Sequence, residues 1–189
     1  CSKAKEAGLT ISCDLNYRKK LWSTTKAQEV MSEMMEYVDI VVANEEDAEK
    51  VFGIKAASSD VDRGVLNHEG YRSVACQLLE RFGLKYVAIT MRESFSASDN
   101  GWSCLLYDGQ KYYQSRYYNI RVVDRVGGGD AFAAGLIYGL ANQWSPQDSV
   151  EFAAAASCLK HTVPGDFNMV SVEEVKNLAG GEGSGRVQR

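Results

Sequence analysis

The chain has 189 residues, 45% of them hydrophobic and 24% charged, which supplies a sizeable core and argues against a chain disordered as a whole. Its formal net charge of -4 comes without a Lys/Arg run long enough to track nucleic acid or an anionic membrane, and no apolar stretch approaches the ~18 residues of a membrane span. A small-molecule ligand is therefore expected, with neither nucleic acid nor membrane as partner. Five cysteines (Cys1, Cys13, Cys76, Cys104, Cys158), odd in number and never in a C-x-x-C pair, argue against a disulfide framework and a zinc site, and they fit a reducing, cytoplasmic compartment.

In chain order, CSKAKEAG reads as the last turns of a helix closed by Gly8, so a further N-terminal part is expected before Cys1. Residues 9–15 (LTISCDL) read as a buried strand and residues 24–37 as a helix. VDIVVA (38–43) is a second buried strand, and EEDAEKVFG after Asn44 is a short helix ending at Gly53. Residues 55–67 are expected to be a loop. Residues 71–82 have helical spacing, Gly83 closes them, and KYVAIT (85–90) is a third strand. This alternation predicts a parallel sheet. Strands over 102–107 and 111–117 flank Asp108-Gly109, a pair suited to a type I′ turn in an antiparallel hairpin. A glycine cluster, a helix over 130–142, another over 146–160, a short helix after Ser171 and a flexible tail over 179–189 complete the chain.

Polar residues follow the expected strands: Asp14 and Asn16 the first, Asn44 the second, Thr90 the third. Open α/β sheets bind ligands beyond the carboxyl ends of their strands, although Asn, Asp and Thr also serve as plain helix caps. The most specific signal is Asp124-Arg125-Val126-Gly127-Gly128-Gly129-Asp130 ahead of the apolar run AFAAGLIYGL. Glycine N–H groups and the positive end of a helix dipole can hold a phosphate there. A carboxylate beside such an anion hole makes sense mainly as the acceptor of a proton from a hydroxyl attacking that phosphate, so Asp130 reads as a catalytic base, the alternative being a plain helix N-cap after a flexible loop. No Walker A pattern is present.

DRVGGGDAFAAGLIYGL resembles the C-terminal signature of the ribokinase-like (PfkB) carbohydrate kinases, whose usual form is D-T-x-G-A-G-D before an apolar helix. Arg125 and Gly128 depart from it. Asn44-Glu45-Glu46-Asp47 is similar to the family's N-x-x-E element, with Asp47 in place of Glu. Asp14-Leu15-Asn16-Tyr17-Arg18 and LKHTVPGDF (159–167) look like segments of the 2-keto-3-deoxygluconate kinases within that family. The resemblance implies an α/β, ribokinase-like fold: a mainly parallel sheet with helices on both faces plus an antiparallel hairpin. Residues 1–189 would be the C-terminal nucleotide-binding portion, with the N-terminal part and lid missing.

It further implies ATP-dependent phosphorylation of a primary hydroxyl on a small sugar acid, 2-keto-3-deoxygluconate above others. The alternatives are a kinase for another sugar or nucleoside, or a non-enzymatic binding module. Gly127, Gly128 and Gly129 would form the anion hole and Asp130 the base. Arg18 would grip the sugar carboxylate through its planar pair of donors, and Asp166 and Asp130 would also contact sugar. Asn16, Tyr17, Arg18, Asn44, Thr90, Arg92, Ser94 and the three glycines would lie along the nucleotide. Asn44 and Asp47 would hold Mg2+ indirectly, and Asp124 would join a monovalent-cation (K+) site. The full-length parent is expected to be a homo-oligomer, and its isolated fragment weakly active at best. His68 and His161 show no metal-binding pattern and are read as structural.

Overall fold

The computed structural model describes residues 1–55 and 68–181. The expected loop over 55–67 falls, beyond Lys55, outside the described residues. The chain forms two compact units, Cys1–Met91 with Leu105–Tyr113, and Arg92–Cys104 with Gln114–Arg189.

The first unit contains α1 (Ser2–Glu6), β1 (Ser12–Asp14), α2 (Thr24–Met34) running into a 3-10 turn (Met35–Tyr37), β2 (Ile40–Ala43), α3 (Glu45–Phe52) and α4 (His68–Phe82). It also holds most of β3 (Tyr86–Ser94), the end of β4 (Asp99–Tyr107) and most of β5 (Tyr112–Gln114), in the order β1-β2-β3-β4-β5. Strands β1, β2 and β3 are parallel, with Ser12 opposite Ile40 and Ile40 opposite Tyr86. All four β2 residues are buried, as a run of apolar β-branched residues covered on both faces should be. The core under this sheet includes Val41, Ala43, Val51, Val74, Leu78, Val87 and Ile89. Asp39, 5% exposed, fastens the N-terminal ends of the parallel strands: it accepts from the Ile11 N–H at 2.9 Å and pairs with Lys5 at 2.7 Å and Lys85 at 3.1 Å.

Several features of this unit differ from the sequence reading. β1 is three residues long rather than the expected 9–15, and Leu9 is exposed, because β1 is an edge strand and only Leu15 beyond it enters the core. β3 does not stop at Thr90 but continues to Ser94, with Met91 buried and Arg92 exposed in the alternation of a pleat. Thr90 is thus half-buried within a strand and not at its end. The Asp108–Lys111 turn has positive φ at Gly109 alone (87°), the sign pattern of type II′ and not of type I′. The Asp108 carboxylate accepts from the Gln110 and Lys111 N–H groups and closes the turn.

In the second unit the end of β3 reverses through residues 95–98 into β4. Phe95 and Ser96 N–H groups donate to the Asp99 carbonyl at 3.0 and 3.1 Å, and Ser96 Oγ accepts from the Ser98 and Asp99 N–H groups. The segment MRESFSASDNG is therefore a β-hairpin. β6 (Tyr118–Arg121), not foreseen, pairs antiparallel with β4, Asn100 facing Ile120. α5 (Gly128–Ala141), α6 (Pro146–His161) and α7 (Val172–Gly180) follow. α5 begins two residues earlier than expected, since Gly128 and Gly129 already belong to its first turn, and α7 takes in Ala179 and Gly180 from the expected tail.

α5 and α6 run antiparallel along a seam of small residues. A Cβ on Gly139 would meet Ser149 Oγ at 2.7 Å, one on Gly135 would meet Ala153 Cα at 2.9 Å, and one on Gly128 would overlap the His161 ring. Such close approach fixes the start of α5, and with it the glycine loop, against the end of α6. Phe152, Ala155 and Ala156 on α6 pack on Val175 of α7. Among the described residues, no helix is long and apolar enough to cross a membrane.

Candidate functional site

Within the first unit, a cleft of about 560 Å³ is lined by Tyr17, Arg18, Lys19, Lys20, Thr24, Asn44, Glu46, Asp47 and Lys50. Its walls are the turn after β1, the first residue of α2 and the helix α3 with its Asn44 cap. Asn16 turns the chain there with a left-handed φ of 38°, a conformation that Asn tolerates better than most residues. Asn44 caps α3, its Oδ1 accepting the Asp47 N–H at 2.8 Å. Asp47 then reaches back across the cleft floor, where its Oδ1 accepts the Tyr17 N–H at 3.0 Å. Strand end and helix start are thereby locked together by two side chains that were singled out for metal and nucleotide roles.

Asp47 is only 6% exposed, and burial pushes its carboxyl up to about 6, against the pull of the Tyr17 N–H, with the Asp14 charge adding to the rise. Arg18 is exposed and donates to the Tyr17 carbonyl at 3.1 Å. The cleft collects four cationic side chains, Arg18, Lys19, Lys20 and Lys50, against two acids, Glu46 and Asp47. That balance and volume suit a small anionic ligand. The structure thus brings Arg18, Tyr17, Asn44 and Asp47 to one cleft. The sequence reading did not anticipate Thr24 and Lys50 as lining. Lys50 could have been found from its place in α3, six residues past the Asn44 cap on an otherwise acidic helix start.

Within the second unit, Gly127 caps α5 in a left-handed conformation with φ 79°. Gly128, Gly129 and Asp130 are the first three helical residues. The Gly128 N–H donates at 3.3 Å to the Arg125 carbonyl. Gly129 and Asp130, as early helical residues, have N–H groups without an i-4 acceptor in the helix, and both residues are exposed. Asp124 is the fastener of this loop: one carboxylate oxygen accepts from the Val126 N–H at 3.0 Å, the other from the Gly165 N–H at 2.9 Å. These two N–H groups hold its carboxyl below the usual carboxylate range, and the Lys160 charge assists. Asp166 is exposed, and its backbone carbonyl abuts the position a Gly127 side chain would need.

Arg92 is exposed on β3, and Ser94 Oγ donates to Asn100 Oδ1 at 3.2 Å in the hairpin. Arg125 holds the same hairpin through Nη2 to the Ala97 carbonyl at 2.8 Å.

Three residues behind this loop, Ser157, Lys160 and His161, were not identified as participants. His161 is buried against Trp102, ring centroids 4.8 Å apart, with Nδ1 2.7 Å from the Ser157 carbonyl. A carbonyl partner requires the proton on Nδ1, and burial lowers the imidazole's affinity for a second proton. Ser157 Oγ donates to the Gly128 carbonyl at 2.8 Å, so α6 holds the first turn of α5 directly. Lys160 is fully buried, with Nζ 3.0 Å from the Val163 carbonyl. The signal for it lies in the helix period: Ser149, Ala153, Ala156 and Lys160 recur at three- and four-residue steps along the face that meets the glycines. Among the described residues, no group of three or more His, Cys, Asp or Glu side chains gathers to hold a metal.

The model of the pfkB family carbohydrate kinases matches residues 1–172. A curated 2-dehydro-3-deoxygalactonokinase of Haloferax volcanii is 30% identical over 183 residues, which are 96% of this chain and 51% of that protein. The crystal structure of 2-dehydro-3-deoxygluconokinase from Thermotoga maritima superposes with a TM-score of 0.89 at 49% identity, covering 95% of this chain and 53% of that one. A PfkB family carbohydrate kinase from Listeria grayi gives a TM-score of 0.80 at 31% identity, covering 95% and 52%. The chain spans about half the length of the relatives it matches.

Proposed function

From the premise that the chain belongs to the pfkB family of carbohydrate kinases, we propose that the full-length protein transfers the γ-phosphoryl group of ATP to a primary hydroxyl of 2-keto-3-deoxygluconate or a close sugar acid. The observation that carries this reading is Asp130, an exposed carboxylate at the third position of α5, three residues after the left-handed Gly127 and among N–H groups that lack helical acceptors. In the proposed step the Asp130 carboxylate takes the hydroxyl proton, the sugar oxygen forms a bond to the γ-phosphorus, and the bond to the bridging oxygen breaks with its electron pair leaving on ADP. Gly127, Gly128 and Gly129 are assigned to the anion hole, where backbone N–H groups stabilise charge on the transferring group.

Arg18 is assigned to the substrate carboxylate or a nucleotide phosphate, supported by its place in a cleft of cationic character. Asn16, Tyr17, Thr90, Arg92 and Ser94 are assigned to the nucleotide and Asp166 to the sugar, on family resemblance. The oxygen-donor pair Asn44 and Asp47 suits Mg2+, and Asp47, whose ionisation burial opposes, is a carboxyl that a nearby divalent cation would favour in its charged form. Mg2+ there would neutralise phosphate charge. The acceptor is taken from the names of the Thermotoga maritima and Haloferax volcanii relatives.

The test is ATP-dependent ADP release by the full-length protein, with 2-keto-3-deoxygluconate and 2-keto-3-deoxygalactonate set against gluconate, fructose, ribose and adenosine. Turnover confined to the keto acids is the expected result. Turnover on another acceptor would remove Arg18 from the carboxylate role, and Mg-ATP binding without turnover on any acceptor would overturn the kinase reading.

A further inference from the structure

Lys160 is the only lysine or arginine among the buried residues described, at 0% exposure. A lysine is almost never fully buried unless its charge is answered. Here the stem runs beside Gly127, whose Cβ would come within 3.1 Å of Lys160 Cε, and the ammonium donates to the Val163 carbonyl at 3.0 Å just past the end of α6. Its charge is felt by two neighbours in the glycine-loop assembly, favouring ionised Asp124 and disfavouring protonated His161.

The same surroundings do not fit a dissolved monovalent cation at Asp124. Both Asp124 carboxylate oxygens already accept backbone N–H groups, from Val126 and Gly165. The Val163 carbonyl, a natural ligand for such an ion, is engaged by an ammonium. A second cation placed there would also be repelled at short range in a low-dielectric setting.

We propose that Lys160 is a built-in cation, a positioning residue that joins the end of α6, residues 163–166 and the glycine loop, and that it makes the protein independent of K+. The side chain touches no reacting group. It acts through Asp124 and Gly127, by holding in place the backbone that presents the N–H groups of the α5 start. The catalytic consequence rests on the phosphoryl-transfer reading, whereas the ion independence does not.

The experiment therefore has two arms, both on the full-length protein. In the first, the melting temperature is measured in about 100 mM KCl and in an equal concentration of N-methylglucamine chloride, for wild type and for Lys160→Met. The wild type is expected to melt within about 1 °C in the two salts, and Lys160→Met to melt lower in the organic salt and to regain part of the loss in KCl. In the second, turnover is followed in the same salts. Wild-type rates are expected to agree within about twofold, and Lys160→Met to lose about tenfold in kcat with little change in KM for ATP, K+ restoring part of that loss. A wild-type protein stabilised or activated several-fold by K+ would overturn the proposal even if Lys160→Met fails to fold. So would a folded Lys160→Met with unaltered melting and turnover. If no acceptor is phosphorylated, the melting arm still decides the question.

Discussion

Replacing Gly127 by Ala tests whether the glycine loop is held by shape. Gly127 has φ 79°, and a Cβ there would overlap the Asp166 carbonyl oxygen and stand 3.1 Å from both the Asp166 carbonyl carbon and Lys160 Cε. A left-handed backbone costs a non-glycine residue ~1–2 kcal/mol, and forcing extra volume into a packed site adds ~1–3 kcal/mol. The lower entropy of the unfolded alanine chain returns ~0.4–1 kcal/mol. The net expectation is a loss of about 1–5 kcal/mol.

Gly129→Ala is the control. No atom lies within 4 Å of its Cβ position and its φ is not positive, so an alanine in that helical turn should be neutral or gain up to ~1 kcal/mol. Both variants keep every backbone N–H. Urea unfolding followed by tryptophan fluorescence, Trp102 and Trp144 lying in the same unit, reads the two midpoints at constant slope. A Gly127→Ala midpoint within about 0.5 kcal/mol of wild type, or an equal loss in Gly129→Ala, would refute the steric argument.

Asp130→Asn in the full-length protein should lower kcat by about 10² or more while affinity for ATP barely changes, because the amide keeps the shape and cannot take the proton; equal turnover would remove the base assignment. Asp47→Asn should change the pH dependence of stability. The Asp47 carboxyl sits at about 6 in the fold against 3.8 for the free group, so the folded state binds the extra proton and wild-type stability falls as pH rises from about 4 to about 6. The variant should lack that fall, worth about 1–2 kcal/mol after allowance for water in the cleft, and parallel pH–stability curves for the two proteins would contradict it. Asn44→Ala removes the α3 cap and should cost about 1 kcal/mol in melting experiments, with Asn44→Ser restoring most of it. Arg18→Met should raise KM for a keto acid about tenfold and leave KM for ATP unchanged, which steady-state kinetics with each substrate varied in turn measures.

Where local chemistry decides the outcome, the sequence was informative. Asn44 as cap and Gly53 as terminator bracket α3 because a side-chain acceptor and a left-handed residue are needed at its two ends. β2 follows from its unbroken apolar run. The GGGD motif was placed next to the start of α5, although the helix takes in Gly128 and Gly129 as its first residues and has no side-chain cap. What stayed hidden depends on pairing across long separations. β6 carries only one buried residue, Ile120, and exists because β4 offers it a partner. β3 runs past Thr90 since its second half finds β4 through a serine-rich turn, a signal that resembles a loop in isolation. In the site, the role of Asp47 as a tie to Tyr17 and that of Asp124 as a tie to Gly165 bridge 30 and 41 residues respectively. Residue types suggested ligand contacts there, and the geometry adds structural work to both.

The two-pronged grip of Asp124 has a consequence for how this protein can vary. One carboxylate holds a backbone amide on each of two loops, so the glycine loop and the 163–166 loop form a single mechanical part. An insertion or deletion in either would pull an oxygen off its amide in the other. Changes of acceptor preference that work through loop length should therefore arise elsewhere in the molecule, and grafting either loop alone from a relative should fail where exchanging both, together with the Asp, succeeds.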